Sequence, residues 1–139
     1  MAHLLTNIGV YALVVKDKKL LLLHKPSDPI WTALGGRMDE NDKDPIDSLR
    51  REIKEEIGCD VKIGDILDVK LWSIDGKNHR LGIFYVCELE DEKKIKLSDE
   101  HDDFKFFSFD EAVKMWKQLE RGAHGIELGM KLKEKGWII

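Results

Sequence analysis

Short apolar segments separated by polar residues run through most of the chain. Five of them have the length and composition of β-strands: residues 8–15, 20–24, 61–71, 81–89 and 104–107. The polar residues 16–19 separate the first two segments, and Asp75-Gly76, a hairpin-turn signal, separates the third from the fourth. The pattern predicts two β-hairpins and one further strand, with an irregular segment at residues 26–36, which contain two prolines and a double glycine.

A helix is predicted at about residues 45–57, because both of its ends carry a sequence signal. Asp44 suits the N-cap, Pro45 suits the first helical position, and Asp47 adds a favourable carboxylate to the first turn. Gly58 supplies the stop. Four apolar residues fall in one stripe of this helix and are expected to pack on the sheet: Ile46, Leu49, Ile53 and Ile57.

Two further helices are predicted towards the C-terminus. Residues 108–111 read Ser-Phe-Asp-Glu, which is a capping box. The helix that it opens has five apolar residues expected to face inward: Ala112, Val113, Met115, Trp116 and Leu119. The last helix is predicted over residues 126–135. Hairpins with helices between and after them predict an α+β fold, in which helices cover the faces of a mostly antiparallel sheet.

Length and composition restrict the chain to one folded domain. Its 139 residues, 42% of them hydrophobic and 36% charged, are typical of a single globular domain. A formal charge of −4 gives no general attraction for nucleic acid or an anionic membrane. The apolar runs are too short to span a membrane and the N-terminus lacks a secretion signal, which predicts a cytoplasmic protein. Cys59 and Cys87 are predicted to be reduced core residues.

Three glutamates converge on one face of the first helix. Glu52, Glu55 and Glu56 project together from a face that lies next to the apolar stripe. Like charges at this spacing repel each other, so the helix gains from them only if a cation or basic partner lies between them. Oxygen ligands of this kind suit Mg²⁺ or Mn²⁺. The alternative is a solvated acidic face that is balanced by basic residues of the same helix.

A double glycine precedes this helix, and its backbone can approach a ligand or metal closely because neither residue has a side chain. Gly35-Gly36 is followed by residues 51–59, which read R-E-I-K-E-E-I-G-C. Together they resemble the Nudix box of Nudix hydrolases, a glycine and a spaced glutamate followed by R-E-U-x-E-E-x-G-U, with U apolar. The resemblance implies one Nudix hydrolase domain over residues 1–139. Its fold would be a Nudix-type α/β/α sandwich with a mixed, mostly antiparallel sheet flanked by helices.

The first half of the box departs from the family pattern. Fourteen residues separate Gly36 from Arg51, where the family usually has thirteen. The position of the spaced glutamate is therefore held by Asp42 if the loop has one insertion, or by Lys43 if it has none. In the family this glutamate usually supports the loop and its neighbouring arginine. We therefore expect Asp42 to pair with Arg51 in its place.

The resemblance also implies roles for the charged residues of the box. Glu52, Glu55 and Glu56 would bind Mg²⁺, with Mn²⁺ as a substitute, and one of them would also take the proton of the attacking water. The region of Gly36 would offer a backbone carbonyl to the metal. Arg51 would orient the carboxylates instead of contacting the substrate.

One further acid lies outside the box. Glu100 stands where many family members place an additional carboxylate that serves as metal ligand or base. The alternative is a surface charge, because residues 98–103 are polar throughout. His101, next to it, is interpreted as a polar loop residue rather than as a base.

Five residues are candidates for contact with the substrate. Trp31, Trp72 and Phe84 have rings that could stack on a nucleobase, although aromatic residues in such elements more often belong to the core. Lys25 and Arg37 flank the double glycine and could meet phosphate oxygens. Ordinary solvent exposure is the alternative for these two.

Marks of two Nudix subfamilies are missing from the chain. ADP-ribose hydrolases of the family tend to carry a proline some fifteen residues after the box, but no proline follows Pro45. Gly76 stands where many diadenosine polyphosphate hydrolases have a tyrosine. These absences favour a Mg²⁺-dependent, MutT-like nucleoside triphosphate pyrophosphohydrolase. The alternatives are a hydrolase of ADP-ribose, nucleotide sugars or dinucleoside polyphosphates, and a nucleotide-binding module without turnover.

The implied partner is a small-molecule nucleotide, and neither a nucleic acid polymer nor a membrane is expected. The apolar C-terminal residues 137–139 leave two alternatives open. They either support a homodimer or pack on the sheet of their own chain, as in a monomer.

Overall fold

The computed structural model of the chain describes residues 2–27, 30–73, 75–116 and 124–139. Seven strands, three helices and a short 3₁₀ turn at Glu92–Lys94 form within these residues. In chain order the elements are β1 (Thr6–Lys16), β2 (Lys19–Lys25), β3 (Ile30–Thr32), β4 (Leu34–Arg37), α1 (Pro45–Ile57), β5 (Lys62–Ser73), β6 (His79–Glu88), β7 (Asp103–Phe107), α2 (Phe109–Met115) and α3 (His124–Glu134).

The strands form one mixed sheet in the order β3-β2-β1-β6-β5, with β4 paired to β1 and β7 paired to β2. β1 and β6 run parallel, and the other pairs are antiparallel. Both predicted hairpins, β1-β2 and β5-β6, are confirmed. The prediction that residues 26–36 are irregular is corrected, because this segment contributes the short strands β3 and β4, which pair with β2 and β1.

Helices cover both faces of the sheet. Successive side chains of β1 point to opposite faces, so that Val10 and Ala12 pack with Leu49 of α1, whereas Tyr11 and Leu13 pack with residues of α2 and α3. This two-sided burial explains why residues 8–15 read as a continuous apolar run. The predicted α+β sandwich is therefore the fold that the chain adopts.

The signals at the ends of α1 act as predicted. The Asp44 side chain accepts a hydrogen bond of 2.8 Å from the backbone N–H of Asp47, and Pro45 opens the helix. Gly58 closes it in the left-handed conformation, with φ of 68°, and its N–H donates to the carbonyl oxygen of Lys54 at 3.0 Å. Because both ends are fixed, the helix presents a defined face to the sheet.

The capping box of α2 is present between Ser108 and Glu111. Ala112 and Trp116 are buried as predicted, but the inward position of Met115 is wrong because 38% of this residue is exposed. The helix ends at Met115 and the chain is extended at Trp116, which turns the tryptophan towards the core. The prediction for Leu119 lies outside the described residues.

The C-terminal residues pack on their own chain. Ile138 is buried in the core next to α3. The backbone N–H of Ile139 donates to the carbonyl oxygen of Lys18 at 3.0 Å, and its carbonyl oxygen accepts from Phe109 at 2.7 Å. Cys59 and Cys87 are free and buried, as predicted. None of the helices in the described part of the chain is long and apolar enough to cross a membrane.

Gly35 allows β4 to lie directly against β1. Its φ is +138°, and a Cβ atom at this position would lie 2.2 Å from the carbonyl oxygen of Val10 and 2.7 Å from the Cα of Tyr11. Both of these atoms belong to backbone that is fixed in the sheet. A side chain at position 35 would therefore push β4 away from β1.

Replacing Gly35 by alanine is expected to lower the free energy of unfolding by about 3 kcal/mol or more, through this clash and backbone strain. Gly76→Ala is the matched control, because Gly76 also has a positive φ of 77° but would bring its Cβ near no atom within 4 Å. We expect Gly76→Ala to cost only about 1 kcal/mol. Urea unfolding measures both variants, and equal losses would contradict a role for close packing at Gly35.

Candidate active site

The double glycine brings the sheet into contact with the carboxylates of α1. The backbone N–H of Gly35 donates a hydrogen bond of 2.7 Å to Oε1 of Glu56. A Cβ atom on Gly36 would lie 2.7 Å from Oε1 of Glu52. The contact at Gly36 depends on the missing side chain, so Gly36 leaves room for Glu52 beside β4, whereas a Cβ atom on Gly35 would meet β1.

Glu56 is a buried carboxyl group, with 8% of the residue exposed. Burial is the main cause that raises its pKa to about 8, and the nearby carboxylates of Glu52, Glu100 and Glu55 raise it further. The hydrogen bond from Gly35 acts in the opposite direction. Burial is also the main cause that raises the pKa of Glu52. A bound cation would therefore stabilise the ionised form of this cluster.

Arg51 links the loop to the cluster. Its Nη2 and Nε lie 3.0 and 3.3 Å from the two carboxylate oxygens of Asp42. Its Nη1 lies 3.2 Å from Oε1 of Glu52 and 3.3 Å from Oε1 of Glu55. One guanidinium thus offsets the repulsion between carboxylates that are neighbours on the helix. The predicted pairing of Asp42 with Arg51 is confirmed.

Asp42 also closes the turn in front of the helix. Its Oδ2 accepts a hydrogen bond of 2.8 Å from the backbone N–H of Asp39. Hydrogen bonds from Arg51 and Asp39 are the main causes that lower the pKa of Asp42 to about 2. Lys43, the other candidate for the position of the spaced glutamate, is exposed. The loop therefore uses Asp42, in the register with one inserted residue.

The segment before β7 adds two residues to the cluster. His101 is buried, with 8% of the residue exposed, and its Nε2 lies 3.9 Å from Oε2 of Glu56. Burial lowers the pKa of this imidazole. Glu100 is exposed, and its charge acts on both Glu56 and His101.

His101 lies in a segment without regular structure, as predicted, but the sequence did not predict that its side chain is buried beside Glu56. Residues 95–102 form neither helix nor strand, so no periodic pattern marks the burial of His101 in the sequence. Its position next to Glu100 is the one signal that could have suggested a place near the site.

The aromatic candidates for base contact all pack against the core between the sheet and α2 and α3. Phe84 is fully buried, and its ring stacks on that of Tyr11 with centroids 4.9 Å apart. The prediction of base contact is wrong for Phe84, because its ring has no exposed face. Trp72 is half-buried beside the same two rings, and half-buried Trp31 contacts Phe107 edge to face.

The two basic candidates lie at different places around the site. Arg37 directly follows Gly36 in β4 and is exposed. Lys25, at the end of β2, is close enough for its charge to help lower the pKa of His101. The charge of Lys25 therefore acts on the segment beside the cluster, whereas Arg37 is adjacent to it only along the chain.

No group of three His, Cys, Asp or Glu side chains within the described ranges is arranged as a ready-made metal site. The carboxylates of the cluster are instead bound by Gly35 and Arg51. Their chemistry nevertheless fits a hard divalent cation, because they offer several carboxylate oxygens at one place.

Comparison with known proteins identifies one matching family model. The NUDIX domain model matches residues 5–126, which include the double glycine, α1 and residues 98–102. No curated protein matches the sequence significantly. Many solved structures do match the fold.

Three of these structures illustrate the likeness. A MutT protein from Methanosarcina mazei Go1 has 21% identity and a TM-score of 0.75, with 94% of each chain covered. A C. elegans Ap4A hydrolase has 19% identity and a TM-score of 0.77, covering 94% of this chain and 97% of that one. A UDP-X diphosphatase has 22% identity and a TM-score of 0.78, covering 99% and 68%. At these identities the likeness establishes the fold and leaves the substrate open.

Asp42→Asn is expected to destabilise the protein at pH 7, because Arg51 loses the most buried of its carboxylate partners. A carboxyl group whose pKa is lower in the folded protein than in the unfolded chain stabilises the fold above the unfolded pKa. That stabilisation is lost as the pH falls from 3.8, the ordinary value, to about 2. The difference between Asp42→Asn and wild type should therefore shrink over this range in urea unfolding.

Asp39→Asn is the matched control for this experiment. Asp39 lies 3.4 Å from the same guanidinium, but its side chain is 67% exposed, compared with 8% for Asp42. We expect a small effect with little pH dependence. A loss of stability in Asp42→Asn that stayed constant down to pH 2 would contradict the assigned ion pair.

Proposed function

Because the chain belongs to the NUDIX domain family and is a hydrolase of pyrophosphate bonds, we propose that its substrate is a nucleoside triphosphate. The products would be a nucleoside monophosphate and pyrophosphate. The observation that carries the proposal is the cluster of Glu52, Glu55 and Glu56. Gly35 donates a hydrogen bond to Glu56, and Arg51 contacts Glu52 and Glu55. A diphosphate carries several negative charges, so its hydrolysis in an acidic site requires compensating cations.

Magnesium is the cofactor that suits this donor set, and manganese is its substitute. Glu52, Glu55 and Glu56 would hold it, together with a backbone carbonyl in the region of Gly36. When bound, the metal would neutralise phosphate oxygens and orient the attacking water. Arg51 already contacts Asp42, Glu52 and Glu55, so its proposed role is to position these carboxylates rather than to bind substrate.

The chemical step needs an acceptor for one proton. As the oxygen of water forms a bond to phosphorus, the bond from phosphorus to the bridging oxygen breaks, and the water proton passes to a carboxylate. The candidates for this base are the three glutamates of α1 and Glu100. Glu100 is exposed and acts electrostatically on Glu56, which supports a role at the edge of the same cluster.

Substrate contacts are proposed for the residues around the cluster. Arg37, which follows Gly36 in β4, and Lys25, whose charge acts on His101, are proposed to bind phosphate oxygens. Trp31 and Trp72 are half-buried and remain candidates for a nucleobase. The triphosphate is favoured over ADP-ribose and dinucleoside polyphosphates because the chain lacks a proline after Pro45 and has Gly76 at the position of the expected tyrosine.

Phosphorus NMR of reactions with Mg²⁺ tests the proposed substrate directly. The panel consists of nucleoside triphosphates, nucleotide sugars, ADP-ribose and dinucleoside polyphosphates. Pyrophosphate together with a nucleoside monophosphate is the expected result. Two monophosphate esters released from a diphosphate would identify a sugar nucleotide or ADP-ribose as the substrate, instead of a nucleoside triphosphate. No product with either Mg²⁺ or Mn²⁺ would favour a nucleotide-binding module.

Glu55→Gln is expected to lower turnover by about a hundredfold or more, because it removes a metal-binding carboxylate and a candidate base. Glu134→Gln is the matched control, since Glu134 is an exposed residue of α3, on the opposite side of the sheet from α1. It should retain wild-type turnover. Asp42→Asn should reduce turnover far less than Glu55→Gln, and an equal loss would contradict the supporting role of Asp42.

A further inference from the structure

Residues 98–102 form a polar segment that is attached to the carboxylate cluster at one end. The backbone N–H of Ser98 donates to the carbonyl oxygen of Glu56 at 3.2 Å. The side chain of His101 is buried, with Nε2 3.9 Å from Oε2 of Glu56 and Nδ1 3.5 Å from Oγ of Ser98. Ser98 and His101, on either side of Glu100, therefore link the segment to α1.

The other end of the segment is attached to β2 through His24 and Asp102. The backbone N–H of Asp102 donates to the carbonyl oxygen of His24 at 3.1 Å. The carboxylate of Asp102 lies 2.5 Å from Nδ1 of His24. Within the segment, Glu100 lies between Ser98, which bonds to α1, and Asp102, which bonds to β2, and it is exposed.

His24 is itself held in place by its neighbours in the sheet. It pairs with Trp31 of β3 on one side and with Asp103 of β7 on the other. Its ring centroid is 5.0 Å from that of Trp31, and Nζ of Lys105 lies 5.4 Å from the Trp31 ring. The imidazole is thus a fixed point to which the end of a segment without regular structure is bound.

We propose that His24 and Asp102 are positioning residues that hold Glu100 beside the carboxylates of α1. This inference rests on the proposed function, in which Glu100 serves as metal ligand or base. Two independent observations support it: the segment is bound at both ends, and Glu100 between them acts electrostatically on Glu56. Exposed ion pairs contribute little to the free energy of unfolding. The contact between His24 and Asp102 should therefore affect the segment much more than the stability of the whole protein.

Amide hydrogen exchange without substrate tests the positioning itself. In Asp102→Ala, residues 98–102 should exchange about tenfold faster than in wild type, while the core strands remain unchanged. Asp102→Asn keeps an acceptor oxygen for the imidazole and should restore most of the protection. Asp99→Ala is the charge-matched control, because Asp99 is an exposed acid of the same segment. Unchanged exchange in Asp102→Ala would overturn the proposal.

A double-mutant cycle with Glu100→Gln tests whether the positioning acts through Glu100. Asp102→Ala should lower kcat by about tenfold with KM changed by less than about twofold, since small displacements of a catalytic group are costly. In the Glu100→Gln background the same substitution should have no further effect. A loss of kcat that persisted in that background would overturn the proposal.

The two experiments separate failure of this proposal from failure of the proposed function. If wild type turned over none of the phosphate substrates, the proposed function would fail, and the exchange experiment would still decide the positioning. If wild type were active and Glu100→Gln retained full kcat, Glu100 would have no catalytic role and the present proposal would be overturned.

Discussion

The absence of side chains at Gly35 and Gly36 is the constraint on which the site depends. At Gly35 it allows β4 to lie against β1, where the backbone N–H of Gly35 reaches the carboxylate of Glu56, and at Gly36 it leaves room for the carboxylate of Glu52. A Cβ atom at either position would meet atoms nearer than 3 Å. The backbone geometry of a short strand thus determines where the negative charge of the helix is placed.

The carboxylates placed in this way repel one another, and the residues around them compensate only part of that repulsion. Arg51 compensates Glu52 and Glu55 and is itself fixed by Asp42 in the preceding loop. Glu56 is buried beyond the reach of this arrangement, and its pKa is raised to about 8. Burying an ionised carboxylate is costly, and a cation bound as proposed would offset that cost.

Local signals in the sequence predict the first helix and much of the carboxylate cluster. Asp44, Pro45 and Gly58 determine the ends of α1, and the glutamate spacing determines which carboxylates share a face. The pairing of Asp42 with Arg51 followed from a family pattern with one inserted residue. For Phe84 the sequence left base contact and core packing open, because the outcome depends on the parallel pairing of β6 with β1, which joins residues far apart in the chain. The burial of His101 was not predicted, because it arises from a segment that packs on α1 without regular structure.

A manganese titration followed by electron paramagnetic resonance tests most directly whether the carboxylates beside the double glycine form a cation site. The signal of free Mn²⁺ decreases as the ion binds to the protein, so the titration measures the affinity for Mn²⁺ without any substrate. We predict that wild type and Glu134→Gln bind Mn²⁺ equally well, and that Glu52→Gln and Glu56→Gln each weaken binding by about tenfold or more. Equal affinity in all four proteins would contradict the assignment of these carboxylates to a metal site.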